Sequence, residues 1–324
     1  MRDDAHADAA ARTFVITGAS SGIGLATAEG LAAPGRRLVL VCRDPHRGGA
    51  AIERVRRAGG ADVALVLADL SSQRSVRQLA VTLAREYPRL DVLIHNAGVV
   101  TLERRLTEDG LETQLAVNHL APFLLTHLLR APLQAAGAAR VVVVASQVER
   151  HGTIRLDDLQ GQDHYDPLEA YYQSKLANVM FTYALAERWA RTGISVNCLH
   201  PGVVRSQLLD VMKAAARRNK GEVAGPNPAA ERLRAGLRRG FRAIRSRVER
   251  LDPRFVPPVD DGPLTPVEGA KTTLHVATSP TLEGVTGRYF RELGEARTSP
   301  ASYDVGTREA LWTASAALVG VAVD

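Results

Sequence analysis

Residues 13–24 read Thr13-Phe-Val-Ile-Thr17-Gly18-Ala-Ser-Ser-Gly22-Ile-Gly24, and this stretch decides the fold. Its apolar run at 13–17 predicts a short buried strand, and a helical pattern begins directly after the last glycine. Glycines permit a tight turn and let the backbone approach a pyrophosphate, whose charge the free N–H groups of a helix N-terminus stabilise. The spacing Gly-x-x-x-Gly-x-Gly, set between a strand and a helix, therefore predicts a dinucleotide-binding turn.

Apolar runs and helical patterns alternate along the rest of the chain. Seven strands are predicted, at 13–17, 37–42, 62–68, 90–95, 140–145, 194–199 and 287–290. Helices are predicted at 22–33, 45–58, 72–86, 107–131 and 168–191. Several strands are continuous Val, Leu and Ile runs, as suits parallel strands that are covered on both faces. We therefore predict an α/β fold: one doubly wound Rossmann-type domain over 13–324, with a mainly parallel sheet.

Tyr171 and Lys175 form a second signal, at i and i+4 on the last of these helices. This spacing places both side chains on one helix face, one turn apart. A nearby cation favours the phenolate, so we expect Lys175 to lower the pKa of Tyr171 and to prepare it for proton exchange with a substrate oxygen. Tyr165 and Tyr172 lie close by in the sequence, but neither has a Lys four residues later.

Composition restricts the class of protein and its location. The chain has 324 residues, of which 45% are hydrophobic and 23% charged, as in ordinary soluble domains. No run approaches the roughly 18 apolar residues of a membrane span. Residues 1–12 lack an apolar signal core, so we expect a disordered start and no export signal. Cys42 and Cys198 lie in apolar runs and suggest reduced thiols in a cytoplasmic protein. The excess of Arg over Lys favours a GC-rich bacterial genome.

The region 207–262 departs from the alternating pattern. It carries 13 Lys and Arg against 7 Asp and Glu, an excess of +6 that equals the net charge of the whole chain. The rest of the chain is therefore neutral overall, and we predict no nucleic-acid partner. Apolar residues at steps of three and four predict an amphipathic helix over 229–251, with an Arg-rich outer face. These are Leu233, Leu237, Phe241, Ile244, Val248 and Leu251. The helix suits a surface element packed on the core, a lid, or a segment that contacts a membrane surface or a partner.

Four motifs in order resemble the short-chain dehydrogenase/reductase family: Thr17-Gly18-x3-Gly22-x-Gly24, Asn96-Ala97-Gly98, Ser146, and Tyr171-x3-Lys175. The similarity is dense from residue 13 to about 205 and resumes near 264. Other stretches resemble the retinol dehydrogenase-like branch, among them Val117-Asn118-His119-Leu120, Gln173-Ser-Lys-Leu-Ala-Asn178 and His200-Pro-Gly-Val-Val-Arg205. In this family the region 207–262 is a substrate-binding loop, here unusually long.

The resemblance implies a catalytic group of Asn118, Ser146, Tyr171 and Lys175. Ser146 would hydrogen-bond the substrate oxygen, and Lys175 would also bind the nicotinamide ribose. Asn118 would hold a backbone kink and a water. The implied cofactor contacts are Gly18, Ser20, Ser21, Gly22, Ile23, Gly24, Asp69, Leu70, Asn96, Ala97, Gly98, Tyr171, Lys175, Pro201, Gly202, Val204 and Ser206. Asp69 also suits a second role, as the N-cap of the helix that follows it.

The choice of cofactor depends on the end of the second strand, Val41-Cys42-Arg43-Asp44. A carboxylate there suits the ribose 2′-hydroxyl of NAD, whereas an arginine suits the 2′-phosphate of NADP. The resemblance assigns the phosphate contact to Arg43, because a guanidinium forms charge-assisted bonds to phosphate. Asp44 is interpreted as an outward or helix-capping acid. We predict NADP(H) in preference to NAD(H).

These expectations lead to a leading hypothesis and two alternatives. The leading hypothesis is an NADP(H)-dependent oxidoreductase that interconverts a carbonyl and an alcohol on an apolar or polycyclic small molecule, in bacterial biosynthesis, without a metal. The first alternative is a redox-neutral enzyme of the same fold: an epimerase, dehydratase or cyclase. The second is a cofactor-binding scaffold that uses the basic helix. A homodimer through 107–131 and 168–191 is an option that the resemblance implies.

Overall fold

The computed structural model of the chain describes residues 11–219 and 263–323. Met1–Ala215 and Pro263–Asp324 belong to one compact unit, and Ala216–Gly262 to a second, of which only 216–219 are described. The predicted helix over 229–251 and most of the predicted disordered start lie outside the described residues. Arg12, assigned to that start, instead begins the first strand. The prediction of a single domain over 13–324 stays a prediction.

The described unit is built on one sheet of eight strands, in the order β3-β2-β1-β4-β5-β6-β7-β8. The strands are β1 Arg12–Thr17, β2 Arg36–Cys42, β3 Asp62–Leu67, β4 Val92–His95, β5 Arg140–Val144, β6 Ser195–His200, β7 Tyr289–Arg291 and β8 Gly294–Glu295. Every neighbouring pair is parallel except β7 with β8. The predicted Rossmann-type sheet is confirmed, and its strand order reverses between β1 and β4, where such sheets bind ligands.

The predicted count of seven strands is wrong by one, because β8 was not foreseen. β8 has two residues and pairs antiparallel with β7 at the edge of the sheet. The connecting residues Glu292 and Leu293 both take a positive φ, of 52° and 66°. This conformation at both central positions is typical of a two-residue hairpin turn, which usually uses Asn or Gly. Since neither residue type is present, the sequence contains no signal for the turn.

Helices cover both faces of the sheet. They are α1 Gly22–Leu31, α2 Pro45–Ala58, α3 Gln73–Glu86, α4 Thr113–Leu115, α5 Ala121–Leu128, α6 Arg130–Gln134, α7 Pro167–Arg188, α8 Gln207–Asn219, α9 Pro266–Thr278 and α10 Val305–Val319. The core residues of α1, α2 and α9 pack on one face, and those of α3, α5, α7 and α10 on the other. Within the described ranges, no helix is long and apolar enough to cross a membrane.

The single helix predicted over 107–131 is wrong in its start and its continuity. Gly110 has a φ of +73° in a turn closed by hydrogen bonds between Thr107 and Leu111, so helical structure begins only at Thr113. The segment Ala116–Leu120 is a π-helix, which α5 continues as an α-helix. A π-helical turn is rare and is found mostly at functional sites. Apolar periodicity marks this segment as buried, but it does not reveal the extra residue in the turn.

Candidate active site

The glycine turn joins β1 to α1 and has the geometry that its sequence predicts. Gly18 and Gly22 have positive φ angles of 68° and 56°. A Cβ on Gly24 would lie 2.4 Å from Asn96 Nδ2 and 2.4 Å from Gly18 O, so glycine alone permits this close packing. A Cβ on Gly22, the first residue of α1, would meet no atom within 4 Å. The N-terminus of α1 therefore faces open space, which leaves room for a phosphate.

Asn96 and Ala97 hold this turn against the end of β4. Asn96 Nδ2 donates to Thr17 O at 3.0 Å and to Gly18 O at 3.3 Å. The backbone N–H groups of Asn96 and Ala97 both donate to Thr17 Oγ1, at 3.0 and 3.2 Å. Thr17 was not among the predicted site residues, although it lies within the first motif. Its hydroxyl links the two strands at the point where the strand order reverses.

Arg43 follows β2 and is exposed. Among the described residues its side chain has no hydrogen-bond or ion-pair partner, so the guanidinium is available to an anion. Asp44 accepts a hydrogen bond from Arg47 N at 2.9 Å and caps α2, which agrees with its interpretation as a capping acid. Because this hydrogen bond favours the carboxylate, the pKa of Asp44 is lowered.

Asp69 lies after β3 at the same sheet edge, but it does not cap the next helix. Ser72 is the N-cap of α3, and its hydroxyl accepts a hydrogen bond from Ser75 N. Asp69 Oδ1 instead accepts hydrogen bonds from the Ser71 backbone N–H at 2.9 Å and from Ser71 Oγ at 2.7 Å. The capping alternative is therefore wrong. Asp69 and the next residue, Leu70, are half-buried, and their contact with a cofactor stays a prediction.

Tyr171 and Lys175 lie one turn apart on α7, and both are buried. Lys175 Nζ is 5.7 Å from the centroid of the Tyr171 ring and donates to Val144 O at 2.9 Å. Burial lowers the pKa of Lys175 to about 8. Burial also raises the pKa of Tyr171, and the neighbouring Tyr172 adds to the rise. The expected lowering of the Tyr171 pKa is therefore wrong for this structure, because removal of the phenol from water disfavours the phenolate.

Asn118 lies in the π-helix and is fully buried. Its Oδ1 accepts from Val99 N at 2.8 Å, and its Nδ2 donates to Val99 O and to Ser174 Oγ, each at 3.0 Å. A Cβ on Gly98 would lie 3.5 Å from Asn118 Oδ1 and 3.6 Å from Lys175 Nζ. The Asn96-Ala97-Gly98 motif, the π-helix and α7 therefore meet at this point. Ser174, which the sequence analysis did not include in the site, connects two of these elements.

Ser146 follows β5 at the carboxyl edge of the sheet. It is half-buried and begins a short 3₁₀-helix, Gln147–His151, whose Val148 N donates to Ser146 Oγ at 3.4 Å. Lys175 bonds to Val144, two residues before Ser146. The structure therefore brings Ser146 to the same strand end as Tyr171 and Lys175.

The segment after β6 forms the remaining wall of the predicted site. It begins with Pro201. Gly202 has a φ of +88°, and a Cβ added to it would lie 2.4 Å from Leu264 Cδ1. Val204 is buried and pairs with Leu264 in an isolated bridge. Ser206 Oγ donates to Val204 O and accepts from Leu209 N, at 3.3 and 3.2 Å, and so caps α8. This capping explains a hydroxyl at position 206 without any cofactor contact.

Together these features define a class of protein: a Rossmann-type α/β protein with a glycine turn and a buried Tyr–Lys pair at one sheet edge. A family model described as short chain dehydrogenase matches residues 12–217. Retinol dehydrogenase 14 of Mus musculus is 38% identical over 321 residues, covering 96% of this chain and 86% of the mouse protein. The chain therefore belongs to the short-chain dehydrogenase family of oxidoreductases, and to its retinol dehydrogenase-like branch.

Solved structures agree with this assignment. An uncharacterized protein from Mycobacterium paratuberculosis is 30% identical, with a TM-score of 0.70, and the match covers 96% of this chain and 94% of that one. A Beutenbergia cavernae structure described as an NAD(P)-dependent gluconate 5-dehydrogenase with bound NADP is 27% identical, with a TM-score of 0.60 and coverage of 87% and 95%. In the described part of this chain, no group of three or more His, Cys, Asp and Glu is placed to hold a metal ion.

Proposed function

We propose that this protein is an NADP(H)-dependent oxidoreductase that interconverts a carbonyl and an alcohol on an apolar or polycyclic small molecule. The observation that carries the proposal is the meeting of Gly98, Asn118 and Lys175, with distances of 3.5 and 3.6 Å from a Cβ placed on Gly98. Ser146 follows β5 and Tyr171 lies on α7, and the hydrogen bond from Lys175 Nζ to Val144 O joins α7 to β5. This edge also holds the glycine turn, so a nucleotide and a proton donor would share one site.

The residues at the sheet edge fit a dinucleotide. The open space at Gly22, together with the uncapped start of α1, would receive the pyrophosphate. Arg43 would hold the 2′-phosphate, since its guanidinium is exposed and has no partner among the described residues. Asp69, Leu70 and Asn96 to Gly98 would line the adenosine side. Pro201, Gly202, Val204 and Ser206 would line the nicotinamide side.

The bound cofactor supplies the hydride, and the protein supplies position and protons. Ser146 Oγ would hydrogen-bond the substrate oxygen, and Tyr171 Oη would donate its proton to that oxygen during reduction. Burial raises the pKa of Tyr171, so the phenol carries its proton near neutral pH, and reduction of a carbonyl would consume that proton. Lys175, with a pKa of about 8, can hold or release a proton in the same pH range. Asn118 would hold the water through which this proton is replaced.

Apolar side chains around the site favour an apolar substrate. Five large apolar residues with 39–64% of their surface exposed lie in the loops after β4, β5 and β6 and at the start of α9. These are Leu102, Leu106, Leu156, Val203 and Val267. Loops that follow parallel strands lie at the sheet edge where such folds bind ligands, so these side chains are candidates for substrate contacts. The relatives named retinol dehydrogenase agree with an apolar alcohol, although the particular substrate does not follow from them.

The two cysteines bear on the location of the protein. Cys42 and Cys198 are both buried and free, which suits a reducing compartment, and we propose the cytoplasm. The excess of Arg over Lys supports a bacterial origin, and we further propose a place in bacterial biosynthesis. Separation of membrane and soluble fractions of the producing cell would test the location, because recovery with the membranes would contradict it.

A binding and turnover experiment tests the central proposal. Purified protein is titrated with NADPH and with NADH, and apolar ketones and aldehydes are then screened by the absorbance of the reduced nicotinamide. We expect tighter binding of NADPH and its oxidation by an apolar carbonyl. Tyr171→Phe should lower turnover by about 10²–10⁴-fold while NADPH still binds. Tyr172→Phe is the matched control and should remain active.

The possible results of this experiment separate the alternatives. NADPH binding without net oxidation, combined with conversion of a substrate, would identify a redox-neutral enzyme of the same fold. Binding without any conversion would favour a scaffold. Failure to bind either nucleotide would contradict the proposed function.

A further inference from the structure

Glu149 is a buried carboxylate, 2% exposed, that the proposed reaction does not use. It lies three residues after Ser146, in the 3₁₀-helix Gln147–His151. Its Oε1 accepts from Ser299 N at 3.0 Å, and its Oε2 accepts from Ser299 Oγ at 2.5 Å. Burial raises the pKa of Glu149, and the two bonds from Ser299 oppose the rise. A carboxylate removed from water is costly, so its presence here calls for a specific role.

Ser299 is itself firmly held and can act as an anchor. It begins the short 3₁₀-helix Pro300–Tyr303, and its carbonyl accepts from Ser302 Oγ at 2.7 Å. Thr298 Oγ1 is hydrogen-bonded to Ser302 Oγ at 2.6 Å and to Tyr183 OH of α7 at 2.9 Å. Glu149 therefore bonds to a segment that is already fixed to the core.

Ser146 depends on the same 3₁₀-helix for its position. Its hydroxyl accepts a long bond of 3.4 Å from Val148 N, and its carbonyl accepts from Glu149 N at 3.2 Å. At the other end of the helix, a Cβ on Gly152 would lie 2.6 Å from Tyr172 O, so the backbone packs tightly on α7. The helix that begins at Ser146 is therefore held between α7 on one side and Ser299 on the other.

We propose that Glu149 is a positioning residue for Ser146, because its two hydrogen bonds to Ser299 fix the 3₁₀-helix from which the Ser146 hydroxyl reaches the substrate oxygen. The proposal rests on the proposed function, since it assigns Ser146 that oxygen. Glu149 itself touches neither the substrate nor the cofactor. Its effect is expected on the chemical step and not on nucleotide binding, because the glycine turn and Arg43 lie on other elements.

The test compares four variants of the full chain. Glu149→Ala should lower kcat by about 10–100-fold, as misplacement of a reacting group by about 1 Å does, with the NADPH Kd unchanged. Glu149→Gln should recover most of the kcat, because its amide oxygen can still accept from Ser299 N. Ser299→Ala removes the bond from Ser299 Oγ and keeps the one from Ser299 N. Its kcat should therefore lie between those of Glu149→Ala and Glu149→Gln. Ser195→Ala is the control: it removes a buried hydroxyl at the start of β6, at the opposite edge of the sheet from Ser146, so it should lower Tm but keep kcat.

Two results would overturn the proposal. One is an unchanged kcat in Glu149→Ala, and the other is an equal loss of kcat in Ser195→Ala, which would show a general structural effect. Amide hydrogen exchange in residues 146–152 is a second measurement, and it needs no substrate. Exchange there should be faster in Glu149→Ala than in Ser195→Ala, and equal exchange would contradict the positioning role. Absence of turnover in the wild type would instead count against the proposed function.

Discussion

Arg43 shows how one exposed side chain can set cofactor choice. It stands at the end of β2 without a partner among the described residues, while Asp44 beside it is engaged in capping α2. Of the two ionic groups directly after β2, the one without a partner among the described residues is therefore the cation Arg43. A charged hydrogen bond contributes about 1.5–3 kcal/mol, so Arg43→Ala should weaken NADPH binding about 10–100-fold and leave NADH binding unchanged.

The measurement for Arg43 is a pair of nucleotide titrations with a matched control. Arg57 is exposed at the far end of α2, so Arg57→Ala makes the same change in charge away from the turn. This variant should keep the wild-type ratio of the two dissociation constants. An unchanged ratio in Arg43→Ala would contradict the assignment of the phosphate to this residue.

The burial of Lys175 makes the stability of the fold depend on pH. Its pKa is about 8 in the fold, against an ordinary 10.5, because burial disfavours the ammonium form. The unfolded chain therefore binds more protons between these two values, and stability rises as pH rises through about 8. This group alone should add about 1 kcal/mol to the free energy of unfolding between about pH 7 and pH 9.

The prediction for Lys175 is checked by denaturation of the wild type and of Lys175→Met at several pH values. The difference in free energy between them should change with pH in favour of the wild type as pH increases. Lys175→Met should also lose turnover. A difference that does not vary with pH would contradict the lowered pKa.

Asn118 anchors the π-helix to the elements around it. The amide of Asn118 satisfies both backbone groups of Val99 and reaches Ser174, so it ties the π-helix to the segment after β4 and to α7. Asn118→Ala would leave these buried groups unpaired and should lower the free energy of unfolding by about 2–4 kcal/mol. Turnover should fall as well, because the variant loses the group proposed to hold the water next to Lys175.

Asn197 on β6 provides the matched control for this prediction. Its amide also bridges two backbone groups, donating to Val285 O at 2.7 Å and accepting from Arg288 N at 2.9 Å. Asn197→Ala should lose comparable stability, measured by chemical denaturation, yet keep its kcat. If both variants lost kcat equally, Asn118 would have only a structural role.

Elements also mark the limit of what the sequence could predict. Several of the strands from β1 to β6 were located because continuous Val, Leu and Ile runs report burial on both sheet faces. Periodicity could not reveal the π-helix, which differs from an α-helix by a single extra residue per turn. The site motifs were found in order, but Thr17, Ser174 and Glu149 act through contacts between distant elements, and no local pattern encodes such contacts.

In the packing of the molecule, α10 covers part of the surface of α5 and α7. Trp312 of α10 is 3% exposed, and its ring centroid lies 4.8 Å from that of Phe123 on α5 and 6.1 Å from that of Phe181 on α7. Ser315 bonds to His119 of the π-helix at 2.8 Å, and Glu187 of α7 accepts from Arg308 at 2.7 Å. The chain's own helix therefore packs on α5 and α7, the helices implied for a homodimer.

We therefore expect that α5 and α7 do not serve as a dimer interface in this protein. Light scattering after size exclusion should give the mass of one chain, and cross-links between copies should not map to these helices. Trp312→Ala should lower the free energy of unfolding by about 3–5 kcal/mol and expose apolar surface, so this variant should self-associate. Tyr303→Ala removes an aromatic ring that is 48% exposed. This variant should neither lose that much stability nor self-associate. A wild-type dimer with cross-links between α5 and α7 of two copies would contradict the prediction, because the face that α10 covers would then have to be free.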